Sequence, residues 1–117
     1  MNPITRAMAQ VLLDHHREVC RRPDGTVPNH ADCLITYGDL CHRAGVPFLT
    51  QNPGQFLCEI ADWCASFGYP PLNALAVMKD GKVPGFNYDK ATGCSLANWP
   101  EEAQSCVAFR GYPGNPD

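Results

Sequence analysis

Cysteine and histidine are the residue types in this chain whose spacing could support chemistry. His30 and Cys33 are separated by two residues, Cys41 directly precedes His42, and Cys20 lies upstream. Imidazole nitrogens and thiolates are the ligands that zinc prefers in proteins. The chain lacks the paired Cys-x-x-Cys segments that are typical of structural zinc sites. We therefore predict a loop histidine among buried thiols, with neither a metal site nor a cofactor.

A thiol nucleophile is the other chemistry that these residues could support. An activated thiol needs a base within hydrogen-bond reach. Neighbouring side chains of a helix point about 100° apart, so His42 does not face the Cys41 thiol. Cys94 follows Gly93 in a predicted loop and is the more exposed candidate, but no motif surrounds it. The sequence therefore predicts a protein without catalytic activity.

Size, charge and hydropathy limit the class of protein further. The chain has 117 residues, 44% of them hydrophobic and 18% charged, which fits one globular domain over residues 1–117. A net charge of -3 lacks the basic surplus that supplies most of the affinity of DNA-binding proteins. No apolar run has the length of a membrane span, and the N-terminus does not resemble a signal peptide. With an odd count of seven cysteines, these features predict a cytoplasmic protein with reduced thiols.

The secondary structure must position these side chains. Its first predicted element is a helix over residues 1–22. Asn2 is a preferred helix cap, and Pro3 suits the first helical position. Apolar residues then recur at helical spacing. This periodicity predicts that His15 faces the core and that the adjacent His16 faces solvent.

Two further helices are predicted in the middle of the chain. Thr36 is a suitable cap for a short second helix that ends near Gly45. Asn52 caps a third helix that ends at Gly68. The third helix carries a wide apolar stripe: Phe56, Leu57, Ile60, Ala61, Cys64 and Phe67.

The C-terminal part of the chain predicts a β-hairpin followed by a last helix. Residues 72–78 are short and apolar, the Asp-Gly pair at 80–81 fits a two-residue turn, and Lys82 begins the return strand. A loop follows, and Pro100 opens a short helix. Residues 111–117 are predicted to be a frayed tail.

Residues 35–86 therefore combine a helix pair with a hairpin, which is the winged-helix arrangement. Their most informative segments are Ile35-Thr36-Tyr37-Gly38-Asp39-Leu40, Arg43-Ala44-Gly45, Gly54-Gln55-Phe56-Leu57, Asp80-Gly81 and Gly85-Phe86. In order and in most of their spacing they resemble the DNA-binding domain of O6-alkylguanine-DNA alkyltransferases and alkyltransferase-like proteins. We predict an α+β fold, a small winged-helix-like domain of a helix, a helix pair, a β-hairpin wing and a C-terminal helix.

The resemblance does not include the family's reactive centre. Asn73 stands where the alkyltransferases have their reactive cysteine and the alkyltransferase-like proteins a tryptophan. Gln51 stands where family members insert an arginine into the base stack. Tyr37 matches a tyrosine that packs near the phosphate of the flipped nucleotide. The resemblance thus implies a fold and a DNA-facing tyrosine, and it does not imply alkyl transfer.

DNA binding is one of two functions that the sequence leaves open, and it would make this a small DNA-binding accessory protein. The start of the third helix and the wing would supply polar and basic contacts to phosphates and base edges. The candidate residues are Tyr37, Arg43, Gln51, Asn52, Gln55, Lys79 and Lys82. Glu59 and Asp62 lie on the exposed face of the third helix and would repel phosphate.

Protein interaction is the other function, and the acidic net charge favours it. Phe86, Tyr88 and Trp99 are predicted to form an exposed apolar patch beside the wing. We expect a non-catalytic interaction module with a protein partner, for example a phage or mobile-element product that inhibits a host nucleic-acid machine. No membrane is expected to take part.

Overall fold

Helices make up most of the regular structure, which comes from a computed structural model that describes residues 1–46, 53–85, 88–94 and 96–116. The longer helices are α1 (Pro3–His15), α2 (Tyr37–Ala44), α3 (Pro53–Ser66) and α5 (Trp99–Ala108), and α4 (Tyr88–Thr92) is short. The strands are β1 (Ile35–Thr36) and β2 (Ala76–Val77). The chain thus forms a small α+β domain with a Cα radius of gyration of 12.9 Å, the value of a compact chain of this length.

The first helix begins as predicted and then changes type. The Asn2 side chain accepts a hydrogen bond from the backbone N–H of Ile4 at 2.8 Å. After α1 the chain continues as a π-helical turn over His16–Cys20. Because a π turn holds more residues than an α turn, it changes the direction in which successive side chains point.

Both adjacent histidines are buried at this junction, so the prediction that His16 faces solvent is wrong. His15 is 8% exposed and His16 is 1% exposed. Each imidazole donates from Nε2 to a backbone carbonyl oxygen, His15 to Cys33 at 2.7 Å and His16 to Cys106 at 2.8 Å. These bonds satisfy the polar atoms that burial removes from water.

The predicted boundaries of α2 are confirmed. The Thr36 hydroxyl accepts from the backbone N–H of Asp39 at 3.2 Å. Gly45 ends the helix with a φ of 73°, a left-handed conformation that favours glycine. Gly68 lies just beyond α3, as predicted, whereas the proposed cap of that helix, Asn52, lies outside the described residues.

The apolar stripe of α3 is mostly confirmed. Each of its core-facing side chains is at most 6% exposed: Phe56, Leu57, Ile60, Ala61 and Cys64. Phe67 is the exception, because it is 60% exposed. It follows the last helical residue, Ser66, at a point where the chain turns away and no described element covers the ring.

The predicted strand over 72–78 and the hairpin are corrected by the structure. Leu72–Leu75 form a 3₁₀ helix, and only Ala76–Val77 are extended. Strand β2 pairs with β1 in parallel, with Ile35 opposite Ala76. The turn after β2 is closed by a hydrogen bond from Met78 N–H to the Val83 carbonyl oxygen at 2.8 Å, and no return strand forms over residues 82–85. A short apolar run fits a buried helical turn as well as a strand, which explains the error.

Two residues of the segment 111–117, for which a frayed tail is predicted, are packed against the domain, while Gly111, Gly114 and Asn115 are exposed. Tyr112 is 8% exposed and Pro116 is buried. The Tyr112 hydroxyl donates to the carbonyl oxygen of Pro70 at 2.5 Å. Among the described residues, no helix is both long and apolar enough to cross a membrane.

Candidate functional site

The residues considered for a metal site are not assembled into one cluster, although the thiols of Cys20 and Cys33 are in hydrogen-bond contact. His30 packs edge-on against Trp99 with ring centroids 5.4 Å apart. Cys33 and Cys41 are buried, while His42 is exposed on the outside of α2. Within the described ranges, no group of three or more histidine, cysteine, aspartate or glutamate residues could hold a metal ion.

The thiols are in surroundings that disfavour the thiolate. No disulfide bond joins any of the seven cysteines, and burial raises the pKa of Cys64 to about 11 and that of Cys106 to about 12. Burial also raises the pKa of Cys41. The pKa of Cys94 is raised by burial and then by the neighbouring carboxylate of Glu102. A thiol nucleophile reacts as the thiolate, so none of these four groups is activated.

Two of the predicted DNA contacts line one groove. Tyr37 and Lys79 face a groove of about 460 Å³, which is also lined by Thr36, Gly38, Asp39 and Met78. The hydroxyl oxygen of Tyr37 accepts a hydrogen bond from the backbone N–H of Gly85 at 2.6 Å. The groove therefore holds one cation and one carboxylate, and its tyrosine is already bonded within the protein.

The other predicted DNA contacts lie elsewhere. Lys82 belongs to the exposed turn that follows Lys79, and Gln55 is exposed on α3. Arg43 lies at the far end of α2, where its guanidinium is 3.9 Å from a carboxylate oxygen of Glu18. The two remaining candidates, Gln51 and Asn52, lie outside the described residues.

The predicted partner-binding patch is corrected, because two of its three members belong to the core. Tyr88 and Trp99 are each 5% exposed. The indole N–H of Trp99 donates to the carbonyl oxygen of Ala74 at 2.8 Å, and the Tyr88 hydroxyl donates to the carboxylate of Glu102. Phe86 lies outside the described residues. Buried indole and phenol groups with internal partners serve packing, not docking.

A different set of aromatic rings reaches the surface, and we call it the aromatic face: Trp63, Phe67, Tyr69 and Phe109. The rings of Phe67 and Tyr69 stack with centroids 5.5 Å apart and planes 15° apart. Trp63 meets both rings edge-on at 5.9 and 5.7 Å, and Phe109 lies 5.4 Å from Tyr69. Trp63, Tyr69 and Phe109 are partly buried against the core, and Phe67 lies outermost.

No motif in the sequence marks the aromatic face as a site. Trp63 lies seven residues after Phe56, a spacing that predicts a position on the buried side of α3. The spacing of four between Trp63 and Phe67 does signal that their rings meet on one helix face. No local pattern indicates that Phe109, from the end of α5, joins them.

A cleft lies next to the aromatic face and shares Tyr69 with it. We call it the acidic cleft, of about 590 Å³, lined by Gly68, Tyr69, Pro70, Pro71, Cys94, Asn98, Glu101, Glu102 and Ser105. Glu101 and Glu102 come from the first turn of α5. Neither carboxylate forms an ion pair with a basic side chain of the described residues.

Comparison with protein-family models, with curated proteins and with solved structures finds no match for this chain.

Proposed function

We propose that this protein is a non-catalytic protein-interaction module that docks a partner protein through the aromatic face. The observation that carries the proposal is that Phe67 remains 60% exposed while its ring stacks on Tyr69. Aromatic side chains dominate the energetics of protein interfaces because they bury a large area with few rotatable bonds. A ring held in place by its neighbours loses little further freedom on binding.

The charge around the aromatic face defines the chemistry of the partner. The chain has a net charge of -3, and the two carboxylates of the acidic cleft adjoin Tyr69. Complementary potentials favour a partner whose apolar side chains are flanked by basic ones. The same carboxylates would repel the phosphates of a nucleic acid, which supports a protein partner at this surface.

The proposed scaffold is a variation on the winged-helix-like arrangement. The element order α1, β1, α2, α3 and β2 supports this proposal, as do the sequence motifs that resemble the alkyltransferase DNA-binding domain. In this proposal the scaffold keeps its helices, and the interaction surface lies at the end of α3 and not at its start.

Selection from a random short-peptide display library tests the proposed function. The wild-type protein should enrich peptides that bind Phe67→Ser at least about tenfold more weakly, since interface aromatics commonly contribute more than 1 kcal/mol. Val27→Ser is the matched control, because Val27 is also an exposed apolar residue, at 47%, and is not part of the aromatic face. A library that yields no enriched peptide, or peptides that bind both variants equally, would overturn the proposal.

DNA binding is retained as a second candidate because Tyr37 and Lys79 line the same groove at the start of α2. Fluorescence anisotropy with labelled duplex and single-stranded DNA across a salt series tests it. Binding that weakens steeply with salt, and weakens further in Lys79→Ala and Lys82→Ala, would support this function. The absence of binding at low salt would eliminate it.

A further inference from the structure

The acidic cleft is lined by two kinds of residue. Tyr69 and the adjoining prolines, Pro70 and Pro71, supply apolar surface, and the proline rings restrict backbone motion. Glu101 and Glu102, from the start of α5, supply acidic side chains. A ligand group that enters the cleft therefore meets an aromatic surface and two anions together.

The carboxylate of Glu102 is held in position before any ligand arrives. It accepts a hydrogen bond from the hydroxyl of Tyr88, which is itself 5% exposed and fixed in the core. Glu101 is exposed at the mouth of the cleft, where its side chain is accessible. A carboxylate that is already oriented loses less conformational entropy when it binds a cation.

The electrostatic effect of these carboxylates is visible on their neighbours. Cys94 also lines the cleft, and its pKa is raised first by burial and then by the charges of Glu102 and Glu101. Negative charge in the cleft thus penalises further anions. No basic side chain of the described residues pairs with either carboxylate.

An arginine side chain can interact with both the aromatic ring and the carboxylates of the cleft. Its planar guanidinium group stacks on aromatic rings and presents a rigid fork of donors that matches carboxylate oxygens. A lysine ammonium group is a strongly hydrated point charge, which pairs with a carboxylate but uses an aromatic wall less well. The geometry points to a partner that inserts an arginine between Tyr69 and the carboxylates of Glu101 and Glu102, while an adjacent apolar residue packs on Phe67. This inference rests on the proposed function, because the apolar contact is the one described there.

Defined peptides test this inference with the full chain. Each fluorescent peptide carries a leucine and a tryptophan on a glycine-serine background, with one variable position that is arginine, lysine, citrulline or glutamate. We expect the arginine peptide to bind about tenfold more tightly than the citrulline peptide, which has the same shape without the charge. Lysine should be intermediate and glutamate weakest, and only the charged peptides should respond strongly to salt.

Variants of the cleft separate this inference from the proposed function. In the double variant Glu101→Gln, Glu102→Gln, the difference in affinity between the arginine and citrulline peptides should disappear. Glu18→Gln is the control, because the Glu18 side chain is 65% exposed and does not line the cleft. Binding that needs Phe67 but is equal for arginine and citrulline would overturn the arginine site and leave the interaction module standing. Failure of every peptide to bind would overturn both.

Discussion

The hydroxyl of Tyr112 donates a hydrogen bond to the carbonyl oxygen of Pro70 at 2.5 Å, and this bond joins the C-terminal segment to the wall of the acidic cleft. The Tyr112 ring also meets Tyr69 edge-on at 5.6 Å and Phe109 at 4.7 Å. A single buried side chain thus supports both the aromatic face and the cleft. The proposed docking surface depends on residues near the end of the chain.

Removal of the Tyr112 hydroxyl should therefore destabilise the protein. We expect Tyr112→Phe to lower the free energy of unfolding by about 1 kcal/mol, because the Pro70 carbonyl loses its donor. Urea denaturation measures this change. Tyr69→Phe is the matched control, because no hydrogen bond joins the Tyr69 hydroxyl to the described residues. Equal effects of the two substitutions would contradict the role of the bond.

Stability should also depend on pH through His16. Burial, and then the positive charges of Arg21 and Arg110, lower the pKa of His16 from its ordinary value of 6.5, against the opposing effect of its bond to Cys106. As pH falls below 6.5, the unfolded chain takes up a proton that the folded protein resists. The free energy of unfolding is therefore expected to fall with decreasing pH below 6.5 and to be independent of His16 above it.

Urea titrations at several pH values between about 5 and 8 measure this dependence. His16→Gln should reduce the pH slope, because the glutamine amide can still donate to the Cys106 carbonyl oxygen but does not titrate. His42→Gln is the control at an exposed histidine. An unchanged slope in His16→Gln would show that other groups produce the pH dependence.

Helix boundaries are the part of this fold that the sequence predicts best. The Thr36 hydroxyl and the left-handed Gly45 act over three or four residues, so short motifs are sufficient to place α2. The parallel pairing of Ile35 with Ala76 joins distant segments, and no local pattern indicates it. For that reason the predictions of the longer helices are confirmed, whereas the hairpin prediction is wrong and the loop predicted after it contains the short helix α4.

The candidate site was harder to predict because exposure depends on distant packing. Trp99 is predicted to belong to an exposed patch with Phe86 and Tyr88, yet it is buried and its indole N–H donates to the carbonyl oxygen of Ala74. The prediction for Phe67 is wrong in the opposite direction. Helical spacing predicts a buried side chain, but Phe67 lies just beyond the end of α3 and is exposed. Periodicity identifies which side chains share a helix face, but the elements packed across that face decide which are buried.

Phe56 of α3 and Phe67, which follows the last residue of that helix, should differ strongly in their contribution to stability. Phe56 is 6% exposed and Phe67 is 60% exposed. We expect Phe56→Ala to cost about 3–5 kcal/mol through the cavity it leaves. Phe67→Ala should cost about 0.5–1.5 kcal/mol, from the lost aromatic contacts. Chemical denaturation compares them, and a cost at Phe67 as large as that at Phe56 would show that its ring serves folding and not docking.

Alanine substitution of two glycines, one inside α2 and one at its C-terminal end, should change the stability of the protein in opposite directions. Gly38 lies inside the helix with no atom within 4 Å of an added Cβ, so Gly38→Ala should stabilise the protein by about 0.5–1 kcal/mol. Gly45 has the same free space but a φ of 73°, so Gly45→Ala should destabilise by about 1–2 kcal/mol. Thermal denaturation measures whether each substitution raises or lowers the stability. Stabilisation by Gly45→Ala would contradict the left-handed helix end.

The aromatic face can be perturbed without changing any of its own residues. A Cβ added at Gly111 would lie 2.6 Å from Cζ of Phe109, which is too close for the ring to stay in place. We expect Gly111→Ala to displace Phe109, to destabilise the protein by about 1–3 kcal/mol and to weaken binding of the peptides that need Phe67. Gly114→Ala is the matched control in the same segment, since its nearest atom, an Arg17 nitrogen, is 3.7 Å away. NMR spectra show whether the Phe109 resonances change in Gly111→Ala. If they change and peptide affinity does not, Phe109 is not part of the docking surface. That surface would then consist of Trp63, Phe67 and Tyr69.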